Sequence, residues 1–322
     1  MSTENTAAVA SASVRRFVIG LARDPATCAS SSHPSPIIAQ VLGSSRRGAW
    51  LAVPRPGGSI DVLVVTARGG ARLPNGIELV TPTMPGLESG DRVTLGDGGL
   101  EFAGHRVVIS RWWNPRPVLA AIDPRGLALA LDGEDDLLCL RSEVPAAAVE
   151  AVAAALHSHD VTDLVRAAGA VLGRGPGLTP ECDDFLSGVI AAHHLLGQAC
   201  DDHGAMSLIA DARAPLMALA GRQTTALSAA LLDHAFAGEV PHAAGEVLRA
   251  LARCASSSRR RGDGARSPVS SPSGDLPLRA LTGLGHSSGR AWAHGIAVAA
   301  RALVRVPEMP VPARTTTSEL QL

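Results

Sequence analysis

Residues 111–117 read RWWNPRP, and the chain changes its pattern at this stretch. Before it, short apolar segments are separated by Gly, Pro and Asn turn signals, at the spacing expected of a small barrel or sandwich. After it, apolar residues recur three or four positions apart, which is typical of helices. The stretch therefore divides an α+β chain into a β-rich domain over 15–117 and a mainly helical domain over 118–305.

The individual elements follow from the same periodicities. We predict strands over 37–42, 49–53, 60–67, 77–80, 93–95, 100–102 and 106–109. We predict helices over 145–156, 161–172, 180–196, 205–220, 225–236, 241–254 and 288–304. The polar ends, 1–14 and 306–322, are expected to be disordered tails, and the Ser, Arg and Pro-rich segment 255–275 to be a flexible surface insertion.

The composition excludes several classes of function. With 29 basic and 30 acidic residues the net charge is -1, so nothing indicates binding to nucleic acid or to a membrane. All the basic residues are arginine, which excludes a pyridoxal phosphate Schiff base and a P-loop nucleotide site. Five cysteines without a CxxC pair argue against a disulfide framework, and no apolar run reaches the length of a membrane span. We expect a cytoplasmic protein.

Three glycine-rich segments each run into a predicted helix: GRGPGLTP at 173–180, GRQTT at 221–225 and GLGHSSGR at 283–290. The first turn of a helix exposes unpaired N–H groups and a partial positive charge, so such a segment is a natural site for an anion. We expect the three to meet in one pocket for a small phosphate- or carboxylate-bearing substrate. The predicted ligand-binding residues of the second and third segments are Arg222, Thr224, Thr225, Ser287 and Ser288.

Asp183 and Asp184 follow the first segment and suggest a metal. Two carboxylates would repel an anion unless a divalent cation lies between them, so the pair predicts Mg²⁺. The structural alternative is that these acids, with Glu181, only stabilise the helix N-terminus. Cys182 beside them is interpreted as a structural thiol, because neighbouring carboxylates oppose its ionisation.

Residues 285–289 also match the G-x-S-x-G pattern of α/β-hydrolases. That fold places a strand before the serine, whereas 278–284 has a helical pattern, and no acid lies between Ser287 and His294. A standalone serine hydrolase is therefore the weakest reading of this segment. The histidine pairs at 157 and 159 and at 193–194 lack the spacing of a metal site on one helix face.

Taken together, GRGPGLTPECDDFLSGV, RQTTALSAALLDHAFAGEV and GHSSGRAWAHG resemble three blocks of the DUF2877 family, in the same order. This family includes the third subunit of bacterial oxamate carbamoyltransferase, which acts in allantoin degradation and so in nitrogen metabolism. The family pattern has Ser-Gly where this chain has Glu181-Cys182, a departure that adds a charge and a side chain.

The resemblance implies a transferase subunit that binds an anionic ligand, and it adds Gly175, Gly177 and Thr179 of the first segment to the predicted ligand-binding residues. The complex of that family cleaves oxalurate with phosphate, which gives oxamate and carbamoyl phosphate. It also contains a CoA-ligase-like subunit and a further subunit. No residue is an obvious general base, so the catalytic residues are left unassigned. The alternative function is a non-catalytic ligand sensor or scaffold that retains the pocket.

Overall fold

The computed structural model describes residues 4–19, 36–55, 58–132, 135–259 and 275–304. The strands are β1 Glu4–Ser11, β2 Ile37–Ser45, β3 Gly48–Pro54, β4 Ile60–Thr66, β5 Gly76–Leu79, β6 Arg92–Gly96, β7 Gly99–Phe102 and β8 His105–Trp113. The helices are α1 Arg15–Val18, α2 Pro124–Asp132, α3 Asp135–Cys139, α4 Ala146–Ser158, α5 Val161–Gly169, α6 Glu181–Ala199, α7 His203–Gln223, α8 Ala226–Phe236, α9 His242–Arg259, α10 Asp275–Thr282 and α11 Ser288–Leu303. The predicted α+β class is confirmed.

The strands form a closed barrel in the order β1-β5-β4-β3-β2-β6-β7-β8. Closure comes from parallel pairing of β1 with β8, while β2, β3 and β4 form an antiparallel meander. Side chains alternate between the barrel interior and the outside, as the period of two requires. Leu51, Leu63 and Leu95 are fully buried inside. The barrel alternative of the sequence prediction is therefore the correct one.

The predicted disordered tail over 1–14 is wrong for residues 4–14. Residues 4–11 form β1, and Ala8 and Ala10 are completely buried in the barrel. The sequence of β1, ENTAAVAS, has few of the β-branched and aromatic residues that mark a strand. Its stability comes from pairing on both sides, with β5 and β8, which a local pattern cannot reveal.

The predicted insertion over 255–275 begins too early, because α9 continues to Arg259. Residues 260–274 and the predicted tail 306–322 lie outside the described residues. Helix α2 was not predicted. It packs closely on α9, where a Cβ on Gly126 would lie 2.5 Å from the Ala255 carbonyl oxygen.

Helix α6 is the centre of the helical region, and nearly all of its residues are buried. It packs most closely on α11, and the contact depends on glycines in both helices. A Cβ on Gly188 would lie 2.5 Å from the Trp292 carbonyl oxygen, and one on Gly295 would lie 2.7 Å from the Val189 nitrogen. The two backbones therefore touch, which fixes the N-termini of both helices relative to each other.

Helix α8 lies on the outside of the barrel. Leu227 and Leu231 form a small apolar cluster with Val62 and Val64 of β4. Two backbone hydrogen bonds, from Val240 to Pro115 (3.0 Å) and from His242 to Arg72 (2.9 Å), add to this contact. No helix within the described ranges has the length and apolar character that crossing a membrane requires.

Candidate functional site

The loop over 173–180 has three glycines with positive φ angles, of which Gly177, at 96°, has open space around it. Gly173 and Gly175 have φ angles of 77° and 119°, in the left-handed region that other residues avoid. A side chain on Gly173 would overlap the carbonyl oxygen of Gln223, and one on Gly175 would lie 2.7 Å from the Glu181 nitrogen. The glycines thus let the loop fold tightly against the end of α7 and the start of α6.

Hydroxyl groups connect the three glycine-rich segments. Thr224 Oγ1 donates a hydrogen bond to Asp183, and Thr225 Oγ1 donates to the Leu178 carbonyl oxygen at 2.7 Å. Thr179 Oγ1 lies 3.2 Å from Ser288 Oγ, with either hydroxyl as donor. Residues 173–180, 223–225 and 285–288 therefore meet, as expected, and we call their meeting point the three-loop junction.

Three of the predicted ligand-binding residues make fewer contacts at the three-loop junction than the others. Gly177 is exposed, with open space around the position of a Cβ. Arg222 is exposed on the last turn of α7, and in the described part of the chain no hydrogen bond ties its side chain to the junction. Ser287 precedes α11 and its side chain makes no capping hydrogen bond. Binding of a ligand by the predicted set stays a prediction.

Asp183 holds the junction together. It is 2% exposed, and it accepts hydrogen bonds from the Gly173 nitrogen at 2.6 Å and from the Thr224 hydroxyl. Burial raises the pKa of this carboxyl, and the bonds from Thr224 and Gly173 oppose the shift. Both of its oxygens are therefore occupied by protein donors.

Asp184 has a different environment. It is 4% exposed, and its Oδ2 is buried without a hydrogen-bond partner. Burial raises the pKa of this carboxyl to about 7, although the hydroxyls of Ser288 and Thr179 act in the opposite direction. A large fraction of Asp184 is thus a neutral acid at neutral pH, and a neutral acid is a hydrogen-bond donor.

The geometry does not favour Asp183 and Asp184 as two direct ligands of one metal ion. Each oxygen of Asp183 already accepts a hydrogen bond from the protein, whereas Asp184 Oδ2 has no partner. Within the described ranges no group of three or more His, Cys, Asp or Glu side chains is arranged to hold a metal. The Mg²⁺ site stays a prediction without support from these contacts.

The two residues that depart from the family motif are both buried. Glu181 Oε1 accepts a hydrogen bond from the Glu143 nitrogen at 2.9 Å, so it anchors the loop before α4. Cys182 is 4% exposed, and burial, followed by the charges of Asp183 and Glu181, raises the pKa of its thiol to about 11. The thiol is neutral near pH 7, in agreement with a structural role.

The G-x-S-x-G match at 285–289 has a structural origin. Helix α10 precedes it where an α/β-hydrolase has a strand. Gly289 is required because a side chain there would overlap the Leu281 carbonyl oxygen of α10. These glycines serve the contact between α10 and α11, and the hydrolase interpretation gains no support.

Sequence reasoning missed a contact between Ser142 and His294. Ser142 Oγ lies 2.8 Å from His294 Nδ1. The two residues are far apart in the chain and belong to no common motif, so no local signal could have paired them. This contact lies beside the N-terminal part of α6, where His294 also packs against the Phe185 ring.

Comparison with known proteins connects the junction to one family. The chain has no significant match among curated proteins or among solved structures. A family model described as oxamate carbamoyltransferase subunit AllH matches residues 171–300, which include all three glycine-rich segments. Residues 171–300 are therefore similar to the AllH family, of the DUF2877 type that the three motifs resemble.

Proposed function

We propose that the chain is a subunit of a carbamoyltransferase-type complex and that its three-loop junction binds a small anionic substrate. The match of 171–300 to an oxamate carbamoyltransferase subunit supports the subunit role. The observation that carries the ligand site is Asp184, a buried carboxyl with an unpartnered oxygen beside the hydroxyls of Thr179 and Ser288. Unpartnered buried polar atoms are uncommon, and a ligand that completes the hydrogen bonding explains this one.

A neutral Asp184 removes the electrostatic objection to an anion at this place. In its protonated form the carboxyl donates a hydrogen bond to a phosphate or carboxylate, as do the hydroxyls of Thr179 and Ser288. The N-termini of α6 and α11 add a partial positive charge, and Arg222 lies at the exposed edge. Such donors stabilise negative charge that develops during transfer of a carbamoyl group.

Thermal unfolding of the full chain tests the ligand site. We expect oxamate, carbamoyl phosphate or inorganic phosphate to raise Tm, because a ligand that binds only the folded state stabilises it. Ser288→Ala removes a hydroxyl beside Asp184 and is expected to reduce the shift at least severalfold. Repeating the titration with Mg²⁺ and with EDTA tests the predicted metal.

The matched control is Ser207→Ala. Ser207 is exposed on the first turns of α7, whereas the junction lies at the other end of that helix. This variant is expected to keep the full shift. The ligand site is wrong if none of the anions raises Tm, or if the two variants respond alike.

A non-catalytic sensor or scaffold is the second candidate. It is favoured by the hydrogen bonds that both oxygens of Asp183 and Oε1 of Glu181 accept from the protein, because these bonds are structural. The two candidates differ when the chain is assembled with its partner subunits. Turnover that survives Ser288→Ala while ligand binding is lost would favour the scaffold.

A further inference from the structure

We propose that Ser142 and His294 form a nucleophile and general base, and that Ser142 Oγ carries the carbamoyl group as a covalent intermediate during transfer. The inference rests on the proposed carbamoyltransferase function, and it assigns the general base to His294, near the end of the third motif block. Neither residue lies among the predicted ligand-binding residues.

The contacts between Ser142 and His294 favour one tautomer of the imidazole ring. His294 Nδ1 lies 2.8 Å from Ser142 Oγ and 3.4 Å from the Ser142 backbone nitrogen. A backbone N–H can only donate, so its contact with Nδ1 favours the tautomer that carries its proton on Nε2. The Ser142 hydroxyl then also donates to Nδ1, which is the arrangement of a serine next to its general base.

His294 is more deeply buried than Ser142, as expected for a fixed base beside a nucleophile. His294 is 6% exposed on α11, with its ring 5.3 Å from the Phe185 ring between centroids. The close contact at Gly295, the next residue, holds this part of α11 against α6. Ser142 is half-buried. The base is therefore held rigidly, while Ser142 is partly exposed.

The charges nearby favour a neutral imidazole. Burial lowers the pKa of His294, and the positive charges of Arg141 and Arg301 lower it further. A neutral ring is free to accept the serine proton near pH 7.

The pair lies next to the three-loop junction. The Glu143 nitrogen, adjacent to Ser142, is bound by Glu181, the first residue of α6. Asp184 is three residues further along the same helix, less than one turn away. Ser142 and the three-loop junction therefore lie at the same end of α6.

The step balances without any further reactant. Ser142 Oγ attacks the carbonyl carbon, an O–C bond forms, and the bond from that carbon to the leaving oxamate nitrogen or phosphate oxygen breaks. The Oγ proton passes to His294 Nδ1 and from there to the leaving group. The acceptor then attacks the serine carbamate, and the same transfers in reverse restore the hydroxyl.

Labelling of the full chain with a fluorophosphonate tests the pair, because the reagent phosphonylates an activated serine with loss of fluoride. We expect peptide mapping to find the label on Ser142, no label there in Ser142→Ala, and at least a tenfold slower reaction in His294→Gln. Ser207→Ala, the exposed control, should label at the normal rate. A label on Ser287 instead, or none on any serine, would overturn the proposal.

A second measurement leaves His294 untouched, in case its replacement unfolds the chain. In Ser142→Cys we expect the new thiol to be alkylated by iodoacetamide with an apparent pKa below about 8.5, the ordinary value, because His294 stabilises the thiolate. An ordinary or raised apparent pKa contradicts activation. Neither test needs a partner subunit or a bound substrate, so failure here would leave the anion-binding and subunit proposals to their own experiments.

Discussion

Two neighbouring aspartates at the start of α6 show how far the position of a side chain determines its chemistry. Asp183 turns toward the Gly173 nitrogen and the Thr224 hydroxyl, and its negative charge is supported by both donors. Asp184, about 100° further round the helix, is buried with one oxygen unpartnered. Asp183 therefore stabilises the fold, whereas Asp184 has an oxygen that can still form a hydrogen bond with a ligand.

Because of this difference, replacing each aspartate by asparagine is expected to change the stability in opposite directions at neutral pH. The pKa of Asp184 is 3.8 in the unfolded chain and about 7 in the folded chain. Between these values the folded chain binds more protons, so its free energy of unfolding falls as the pH rises, by up to about 1.4 kcal/mol per pH unit. Asp184→Asn removes this pH dependence. The free energy of unfolding of the variant should therefore rise relative to that of the wild type between pH 4 and 7. Urea unfolding at pH 5, 6, 7 and 8 measures the difference.

Asp183→Asn is the matched comparison. Its amide NH₂ would face a donor, so we expect a loss of about 1–3 kcal/mol at neutral pH. Parallel pH profiles for wild type and Asp184→Asn would show that Asp184 keeps an ordinary pKa. The proposed role as a neutral donor would then be wrong.

At the scale of elements, the contact between α6 and α11 positions the site. The two helices carry Thr179, Asp184 and Ser288 to one place only because Gly188 and Gly295 let their backbones touch. A methyl group in this contact would push the helices apart. It would separate the hydroxyls of the junction as well as opening the core.

Gly295→Ala is therefore expected to lower the free energy of unfolding by about 1–3 kcal/mol through overpacking. The control is Gly221→Ala, in α7, where nothing lies within 4 Å of the added Cβ. There the same change should stabilise by about 0.5–1 kcal/mol, the ordinary gain of alanine over glycine in a helix. Denaturant unfolding of both variants gives the comparison. Equal effects would mean that the helices adjust freely.

Much of the fold could be predicted because its elements have strong local patterns. The alternating burial of β2 and the apolar spacing of α8 repeat over enough residues to be recognised. Strand β1 was missed because its small side chains carry no such pattern. The meeting of the three segments was expected from their motifs, but the contact between Ser142 and His294 depends on how distant elements pack.

At the scale of the whole molecule, α8 links the site to the barrel. Thr225, which caps this helix and contacts Leu178, is followed by Leu227 and Leu231, which pack on β4. The position of the junction therefore depends on the contact between the two halves. A change at the barrel surface would be transmitted to the site through one helix.

Leu231→Ala tests this dependence. Leu231 is 5% exposed, and we expect its truncation to cost about 2–5 kcal/mol, as for other buried leucines. Cleavage by a protease within 114–121, which links the halves, should become faster. Leu129→Ala is the control, since Leu129 is 59% exposed and a surface change costs within about 0.5 kcal/mol. Equal cleavage of the two variants would show that α8 does not hold the halves together.

The parallel pairing of β1 with β8 also bears on how the protein is made. Thr6 pairs with Val107, about 100 residues later, so the ring of strands stays open until the chain has been synthesised through β8. Contacts between such distant residues form slowly, because a long loop must close first. During translation both edges of β1 remain unpaired while the β2–β4 meander forms, because β5 and β8 are synthesised later. A ribosome that stalls before residue 113 would release a chain with exposed edges, which is a species prone to aggregate.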